Sequence, residues 1–341
     1  MQDLELTVAD VARQLDAWAP PSLAESYDNV GLLVGIPGQK LSGILVTLDM
    51  TEEVVCEALS TGCNMVVAHH PIWFTARKRL NGEDHVSRTI MLAVKHDIAL
   101  YACHTNLDAV KHGVNAVIGQ KLGVSNMRSL APAKDAWSVL VATSTKEAAE
   151  KAAGLLEAEG LRPRLTADAV SVTRLECLIP NERRVALSAM VTTTLPGAEV
   201  YTHPIGLSNH GLPTPGSGMV GELSHPMSKS DFMAHVKHTF RCGGVRYADF
   251  GGDSIQRVAW CGGAGSFLIH NALQAGADAF VTADITYHKF FDAEGRMLLM
   301  DIGHFESEQF TSELIARFLS EKFPTFAVRL SKVITNPVKY Y

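Results

Sequence analysis

The chain has 341 residues, which is more than the roughly 250–300 residues at which a single core stops growing, so its length predicts two domains. A composition of 47% hydrophobic and 19% charged residues is that of a globular protein and excludes a disordered chain. The net charge of -6 argues against the concentrated basic surface that nucleic acid requires. A local basic patch is the alternative, and the cluster Arg77, Lys78 and Arg79 is its candidate; we interpret this cluster as a solvated loop.

In the first third of the chain, short apolar runs alternate with helical patterns. Strands are predicted at 43–49, 64–69 and 98–104, and a helix is predicted at 86–96. Thr51 offers an N-cap for another helix, with Glu52 and Glu53 in its first turn. Near-continuous apolar strands separated by helices predict an α/β fold with a mostly parallel sheet covered on both faces.

The middle of the chain has a different rhythm. Strands are predicted at 137–142, 171–179 and 199–203, helical segments at 146–159 and 181–190, and a loop rich in Gly and Pro at 206–221. This β-α-β-β-α-β-like order is typical of a small ferredoxin-like module. We therefore predict an inserted module at 131–217, within a discontinuous α/β domain formed by 1–130 and 218–341. One continuous domain with an irregular middle is the alternative.

The last third returns to alternating strands and helices. Strands are predicted at 256–261, 279–282, 297–301 and 326–330, with helices at 266–274 and 304–322. The same α/β architecture is therefore expected on both sides of the insert.

Cysteine usage and hydropathy predict a cytoplasmic protein. The six cysteines are scattered without a C-x-x-C pair, which favours buried free thiols in a reducing compartment over a disulfide framework or a zinc ribbon. No apolar run approaches the roughly 18 residues of a membrane span, and the first residues lack the pattern of a secretory signal.

Histidines and acids follow directly on two of the predicted strands. His69 and His70 end an apolar run, and neighbouring strand residues point to opposite sides, so this pair suits two ions better than one. His104 and Asp108 follow the next strand. Asp108 supplies a carboxylate, or alternatively caps the helix that follows. His104 is a metal ligand, an outer partner of a ligand or an acid–base group.

A third segment completes a ligand set at the carboxyl ends of strands, where open α/β sheets carry their sites. His304 and Glu308 are four residues apart at the start of a predicted helix, so both lie on one face. Three imidazoles and two carboxylates match a two-metal hydrolytic site, and mixed N/O ligation fits Zn, Mn, Fe or Co. The predicted metal ligands are His69, His70, Asp108, His304 and Glu308.

Two more segments lie in the same predicted sheet. Asp284 and His288 follow a strand and are expected on one helical face, where they, like His104, would orient ligands or transfer protons; Asp284 as an N-cap is the alternative. The glycines within 262–265 open a predicted helix. They either present N–H groups to a phosphate or make a tight turn, and we favour the turn.

The ordered motifs YDNVGL at 27–32, AHHP at 68–71, HTNLD at 104–108 and GHFESE at 303–308 resemble those of the NIF-three-like family of dinuclear-metal proteins, whose members are often labelled GTP cyclohydrolase type two homologues. The resemblance covers roughly 1–125 and 220–341. It implies the same five ligands, with Glu308 contacting both ions. It also implies an inserted PII-like module and a toroidal homohexamer, although Leu195-Pro196-Gly197 replaces a signature common in that insert.

Metal-assisted hydrolysis is the leading functional hypothesis. A bound ion lowers the pKa of water from 15.7 to about 7, which supplies a hydroxide nucleophile. The family label implies hydration and opening of the guanine imidazole ring of GTP, whereas phosphoester hydrolysis is equally natural for two metals. The alternative from another class is a metal-binding regulatory scaffold without turnover.

Overall fold

A computed structural model describes residues 5–133, 137–167, 172–180, 183–205 and 215–341. The chain divides into two compact units, one formed by Met1–Ala131 with Pro215–Tyr341 and the other by Pro132–Thr214. The fold is mixed α/β, in agreement with the predicted class. Within the described residues, no helix is both long enough and apolar enough to cross a membrane.

The described helices and strands are numbered separately in chain order. The helices are α1 (Val8–Trp18), α2 (Glu52–Ser60), α3 (His85–Lys95), α4 (Thr105–Ala109), α5 (Val114–Leu122), α6 (Lys146–Ala158), α7 (Arg184–Thr194), α8 (Lys229–Thr239), α9 (Ile269–Gln274), α10 (His304–Glu308) and α11 (Thr311–Lys322). The strands are β1 (Gly31–Val34), β2 (Ile44–Thr47), β3 (Met65–Ala68), β4 (Ala99–Ala102), β5 (Val124–Pro132), β6 (Trp137–Ser144), β7 (Arg164–Ala167), β8 (Thr173–Pro180), β9 (Val200–Ile205), β10 (Gly216–Ser228), β11 (Arg246–Ala248), β12 (Ser254–Ala264), β13 (Ala279–Ala283), β14 (Leu298–Asp301) and β15 (Val328–Leu330).

The first sheet of the larger unit has the strand order β1-β4-β3-β2-β15. The three pairings among β15, β2, β3 and β4 are parallel, and β1 pairs with β4 antiparallel. Every residue of β2, β3 and β4 is buried, which explains their continuous apolar sequence. Helices α2 and α3 contribute to the core on one face, and Thr51 caps α2 by accepting a hydrogen bond from the amide of Val54, as predicted.

The second sheet of the same unit has the order β11-β14-β13-β12-β10-β5. Its central pairings, β12 with β13 and β13 with β14, are parallel, whereas β11 and β10 pair antiparallel with β14 and β12. Inward side chains of both sheets join one hydrophobic core with residues of α5 and α11. Trp260 is fully buried there, and its indole N–H donates to the carbonyl of Asn115 at 2.7 Å. Because the two sheets share this core, the carboxyl ends of the parallel strands of both sheets lie in the same compact unit.

The smaller unit is a four-stranded antiparallel sheet with the order β7-β8-β6-β9. Its elements follow one another as β6-α6-β7-β8-α7-β9. The helices α6 and α7 pack on one face of this sheet and form a separate core. Leu156 of α6 and Val191 of α7 lie in this core with Leu140 of β6 and Leu175 of β8. The alternation of buried and exposed residues along β8 is that of a sheet with one face covered.

Two sequence predictions about element bounds are wrong. The helix predicted at 304–322 is two helices, α10 and α11. The carbonyl of Glu306, which a continuing helix would offer to the amide of Phe310, accepts from the side-chain amide of Gln309 at 3.0 Å, and Phe310 packs on Phe240. The loop predicted at 206–221 becomes strand β10 from Gly216 onward, because pairing with β12 overrides its composition; 206–214 lie outside the described residues.

The cysteines are all free thiols, and five of the six are buried. Burial raises the pKa of Cys177 to about 11 and that of Cys242 to about 12. Cys56 is the exception, because it lies on the exposed side of α2. The expectation of buried thiols is therefore wrong at this one position.

Candidate metal centre

The structure brings all five predicted ligands together, and His104 joins them. His69 and His70 directly follow β3, His104 comes two residues after β4, and His304 begins α10 shortly after β14. The residues form three overlapping groups, and within each group the possible ligand atoms lie within 4.8 Å of one another. These groups are His69 with His70 and His104; His70 with His304 and Glu308; and His69 with Asp108 and Glu308.

His69 is fully buried and is held in a form suited to metal binding. Its Nδ1 donates to the carbonyl of Cys103 at 2.7 Å, so in the neutral imidazole Nε2 carries the lone pair. That Nε2 lies 3.7 Å from an oxygen of Asp108 and 3.7 Å from an oxygen of Glu308, too far for hydrogen bonds. Both His69 Nε2 and Asp108 Oδ1 are buried without a hydrogen-bond partner. An unpartnered buried polar atom costs about 1–3 kcal/mol, so a cation between the two atoms fits this donor set.

The second group surrounds one oxygen of Glu308. The Nε2 atoms of His70 and His304 each lie 3.0 Å from Glu308 Oε2 and 3.3 Å from each other. Burial would lower the pKa of both imidazoles, but hydrogen bonds to Asp49 and Glu308 raise that of His70 to about 9. Hydrogen bonds to Asp284 and Glu308 likewise raise the pKa of His304 to about 11. The site therefore favours positive charge at this point.

Asp108 shares this electrostatic environment but responds in the opposite direction. Burial, followed by repulsion from Glu308, raises the pKa of Asp108 to about 7. Two acids so close together resist ionising at the same time unless a cation lies between them. Asp108 lies within α4, and Gly113 is the N-cap of α5, so the alternative role of Asp108 as a helix cap is wrong.

An outer ring of oxygen atoms orients the four imidazoles. Nδ1 of His70 donates to Asp49 at 2.7 Å, and Nδ1 of His104 donates to Asp28 at 2.8 Å. Nδ1 of His304 donates to Asp284 at 2.6 Å. With each Nδ1 engaged, the Nε2 atoms are left for the centre, which is the usual arrangement around metal-binding histidines.

Sequence reasoning missed the parts that Asp28 and Asp49 play. Asp28 also accepts from the hydroxyl and amide of Thr105. Burial would raise the pKa of Asp28, but the hydrogen bonds from His104 and from the Thr105 hydroxyl lower it to about 2. The available signal for Asp49 was its place at the end of the apolar run that forms β2. For Asp28 it was the motif at 27–32. Neither observation predicts which histidine donates a hydrogen bond to each acid.

The structure separates Asp284 from His288. Asp284 has a left-handed backbone with φ 54° and lies in no helix, whereas His288 is exposed in a short 3-10 helix, Tyr287–Ala293, that begins after Thr286. The prediction that Asp284 and His288 share a helical face is therefore wrong, as is the alternative of Asp284 as an N-cap. His288 does not join the metal-ligand groups, and its catalytic role stays a prediction.

The glycine segment ends strand β12, and Gly265 is the N-cap of a short 3-10 helix, Ser266–Leu268, that leads directly into α9. The prediction that this segment opens a helix after a strand is therefore confirmed. The register of β12 with β13 shifts between Trp260 and Ala264. The amides of Gly262, Gly263 and Gly265 are used inside the protein, since they donate to Asn115, Ser307 and Thr282. A Cβ on Gly263 would lie 2.4 Å from an oxygen of Glu308. The glycine allows the strand to approach the ligand closely.

A cavity of about 1080 Å³ opens over the ligand group. Its wall combines the carboxylates and imidazoles of the centre with aromatic rings, of which Tyr27, Phe74 and Phe267 are at least half exposed. Phe74 also contacts the ring of His104, with 5.6 Å between centroids. The centre is therefore accessible to a ligand with an apolar surface.

Comparison with known proteins adds the family. The model of the family described as DUF34/NIF3 (NGG1p interacting factor 3) matches residues 6–337. The chain belongs to this family. A Staphylococcus epidermidis relative called "GTP cyclohydrolase 1 type 2 homolog" is 30% identical over 372 residues, which cover 98% of this chain and 100% of the relative. The crystal structure of a Bacillus cereus protein related to NIF3 matches with a TM-score of 0.83 at 28% identity, and that of a Staphylococcus aureus protein with 0.81 at 27%; each match covers 99% of both chains.

Membership of the DUF34/NIF3 family confirms the resemblance drawn from the sequence motifs. In this structure the motif at 27–32 provides Asp28, which holds His104 from the neighbouring motif at 104–108. The motif at 303–308 begins with Gly303 at φ 92°, where a Cβ would lie 2.2 Å from Glu306. Direct contacts join the motif at 27–32 to that at 104–108 through Asp28 and His104, and the motif at 68–71 to that at 303–308 through His70 and Glu308.

Proposed function

We propose that this DUF34/NIF3 protein holds two divalent metal ions and hydrolyses a nucleotide-like substrate. The observation that carries the proposal is the convergence of inward-facing imidazole Nε2 atoms and two carboxylates around His69 Nε2 and Asp108 Oδ1, which are buried without partners. Polar atoms are rarely left in this condition in a core. A cation is the partner that both a carboxylate oxygen and an imidazole lone pair accept.

The position of the Glu308 carboxylate favours a centre with two ions over a centre with one. Its Oε1 faces His69, and its Oε2 faces His70 and His304. One ion would accordingly be held by His69, Asp108 and Glu308, and the other by His70, His304 and Glu308. His104 lies within reach of His69 and His70. Zn, Mn, Fe and Co all accept this mixture of nitrogen and oxygen ligands.

Divalent ions in such a centre lower the pKa of water and stabilise negative charge on a substrate oxygen. The protein's own contribution is to fix the ligands and to manage the proton. His104 is suited to hold a proton at Nε2, because Asp28 accepts the hydrogen bond from its Nδ1. The His104 ring forms part of the cavity wall beside Phe74. Asp284 contributes by orienting His304.

A nucleotide-like substrate agrees with the cavity. Exposed aromatic rings beside an ionic centre are suited to stacking on a planar base while polar groups reach the ligands. The name of the Staphylococcus epidermidis relative refers to GTP cyclohydrolase, and a guanine nucleotide is therefore the first substrate to test. Phosphodiester hydrolysis is the second reaction to test, because the same ligands suit it.

The proposal is tested by metal analysis followed by a substrate screen. Protein purified without chelator is expected to carry two ions per chain, measured by mass spectrometry of the metal content. Chelated protein reloaded with Zn, Mn, Fe or Co is then incubated with nucleotides and phosphodiesters, with formate and the alcohol that leaves a phosphodiester as separate readouts. Metal-dependent formate release supports the cyclohydrolase reaction, and release from a phosphodiester supports a phosphoesterase. Two bound ions without any turnover would favour the regulatory scaffold, and absence of stoichiometric metal would contradict the whole proposal.

We further propose a cytoplasmic homo-oligomer, in the form of a toroidal hexamer, with a PII-like inserted module. The order β6-α6-β7-β8-α7-β9 supports a ferredoxin-like module of this kind. Tyr287 and Phe291 support self-association, because they are 71% and 61% exposed and contact each other through their rings. Light scattering after size exclusion should give six times the chain mass of 36.9 kDa, and a monomer would contradict the assembly.

A further inference from the structure

The residues from 331 to 341, here called the crossing segment, run without helix or strand along the metal centre. The segment begins after β15, where the amide of Ser331 donates to the carbonyl of Val46 at 2.8 Å. The Ser331 hydroxyl and the Lys332 amide then donate to Glu57, at 2.5 and 2.9 Å. Asn336, Pro337, Val338 and Tyr340 line the cavity over the ligand group. The crossing segment is therefore anchored in the first sheet before it reaches the site.

Two consecutive residues of this segment contact opposite sides of the centre. The hydroxyl of Thr335 donates to Asp49 Oδ2, while the other oxygen of Asp49 accepts from His70. The side-chain amide of Asn336 donates to Glu306 at 3.3 Å. Asp49 follows a strand of the first sheet, and Glu306 lies in α10 between two predicted ligands. Thr335 and Asn336 thus join the two ligand-bearing parts of the larger unit.

The C-terminal part of the crossing segment packs against two glycines. The Tyr340 ring lies against Gly243 and Gly244, where a Cβ would come within 2.2 and 3.1 Å of it. A Cβ at Gly243 would exclude the ring, and one at Gly244 would make a tight contact with it. The contacts at Glu57, Asp49, Glu306 and the two glycines fix the path across the cavity.

The hydrogen bonds that hold the Asp49 carboxylate differ from those that hold Asp28, the acid that accepts from His104. Asp28 accepts from the amide of Asn29 and from the amide and hydroxyl of Thr105, all close to the motifs that they serve. For Asp49, among the described residues, the side-chain hydrogen bonds are those with His70 and Thr335. The orientation of the Asp49 carboxylate, and with it the ring of His70, therefore depends on a residue distant in sequence.

We propose that Thr335 is a positioning residue of the metal centre, acting through Asp49 on His70. This inference rests on the proposed function, since it requires that His70 binds an ion. Partners of metal-binding histidines that lie outside the ligand set typically change metal affinity about 10- to 100-fold when removed. Loss of the Thr335 hydroxyl should weaken the subsite of His70 and His304, and it should spare the subsite of His69 and Asp108.

The test is a titration of chelated protein with Co²⁺, followed by visible absorption and calorimetry. Thr335→Val is expected to weaken one of the two binding events about 10- to 100-fold and to alter its absorption band, while the other event is unchanged. Thr335→Ser should restore the native affinity to within about twofold, because it returns the hydroxyl. Thr325→Val, the same change at an exposed position between α11 and β15, should behave as the native chain.

The outcomes separate this inference from the proposed function. Failure of the native chain to bind two ions overturns both. Two native binding events that are equally strong in Thr335→Val overturn the positioning role alone. Circular dichroism checks that the variants are folded, and Thr335→Ala, which leaves no extra methyl against Asp49, provides the same comparison if Thr335→Val is not. Loss of affinity in Thr335→Val without rescue by Thr335→Ser would also contradict the role of the hydroxyl.

Discussion

Replacing Glu308 with Gln is expected to reduce the bound metal from two ions per chain to at most one. The two carboxylate oxygens face different histidine groups, and the amide of Gln offers one oxygen and one N–H₂ group in their place. One subsite therefore has an N–H₂ group, which cannot bind a cation, in place of a carboxylate oxygen, and the other has a neutral amide oxygen. Because loss of an outer partner alone costs about 10- to 100-fold in affinity, loss of this ligand should cost at least that much, and turnover should fall with it.

Metal content and thermal unfolding measure the effect of Glu308→Gln independently. An ion present at 100 times its Kd stabilises the folded state by about 2.7 kcal/mol per site, so chelator should lower the melting temperature of the native chain clearly. The same addition should change that of Glu308→Gln much less. Glu313→Gln alters an exposed acid on α11 and serves as the matched control. Retention of two ions and of the full response to chelator in Glu308→Gln would contradict the bridging position of this residue.

The placement of ligands could be predicted from the sequence because it depends on local patterns. An apolar run that ends in His69 and His70 is a strand end, and adjacent strand residues diverge. The structure groups His69 with Asp108 and His70 with His304, but His69 and His70 also form one group with His104, so their separation is only partial. The spacing of His304 and Glu308 within one turn of helix needs no tertiary information either.

The parts that could not be predicted depend on contacts between distant residues. Nothing near His104 in sequence indicates that Asp28 holds its ring, and nothing near Asp49 indicates Thr335. Asp284 leaves the helical pattern because its side chain reaches His304 from a left-handed backbone. In β10, pairing with β12 gives a Gly- and Ser-rich segment a strand conformation that its composition disfavours. Tertiary contacts decide the backbone in each case.

Gly263→Ala is expected to destabilise the protein and to weaken metal binding, for two separable reasons. Gly263 has φ 60°, and a side chain in the left-handed region costs roughly 1–2 kcal/mol. The added Cβ would also lie 2.4 Å from Glu308 Oε1 and 3.2 Å from His304 Cε1. Overpacking of this kind costs about 1–3 kcal/mol, so the free energy of unfolding should fall by about 2–5 kcal/mol in total.

Gly295→Ala separates the backbone cost from the contact with Glu308. Gly295 has φ 67°, and a Cβ there meets nothing within 4 Å, so this variant should lose roughly 1–2 kcal/mol and bind metal normally. Urea unfolding of the chelated proteins measures the first effect, and Co²⁺ titration measures the second. Equal losses of stability and unchanged metal affinity in both variants would contradict a close-approach role for Gly263. A larger loss in Gly263→Ala, with Co²⁺ binding impaired in that variant, would indicate that β12 has glycine at this point because Glu308 occupies the space that a side chain needs.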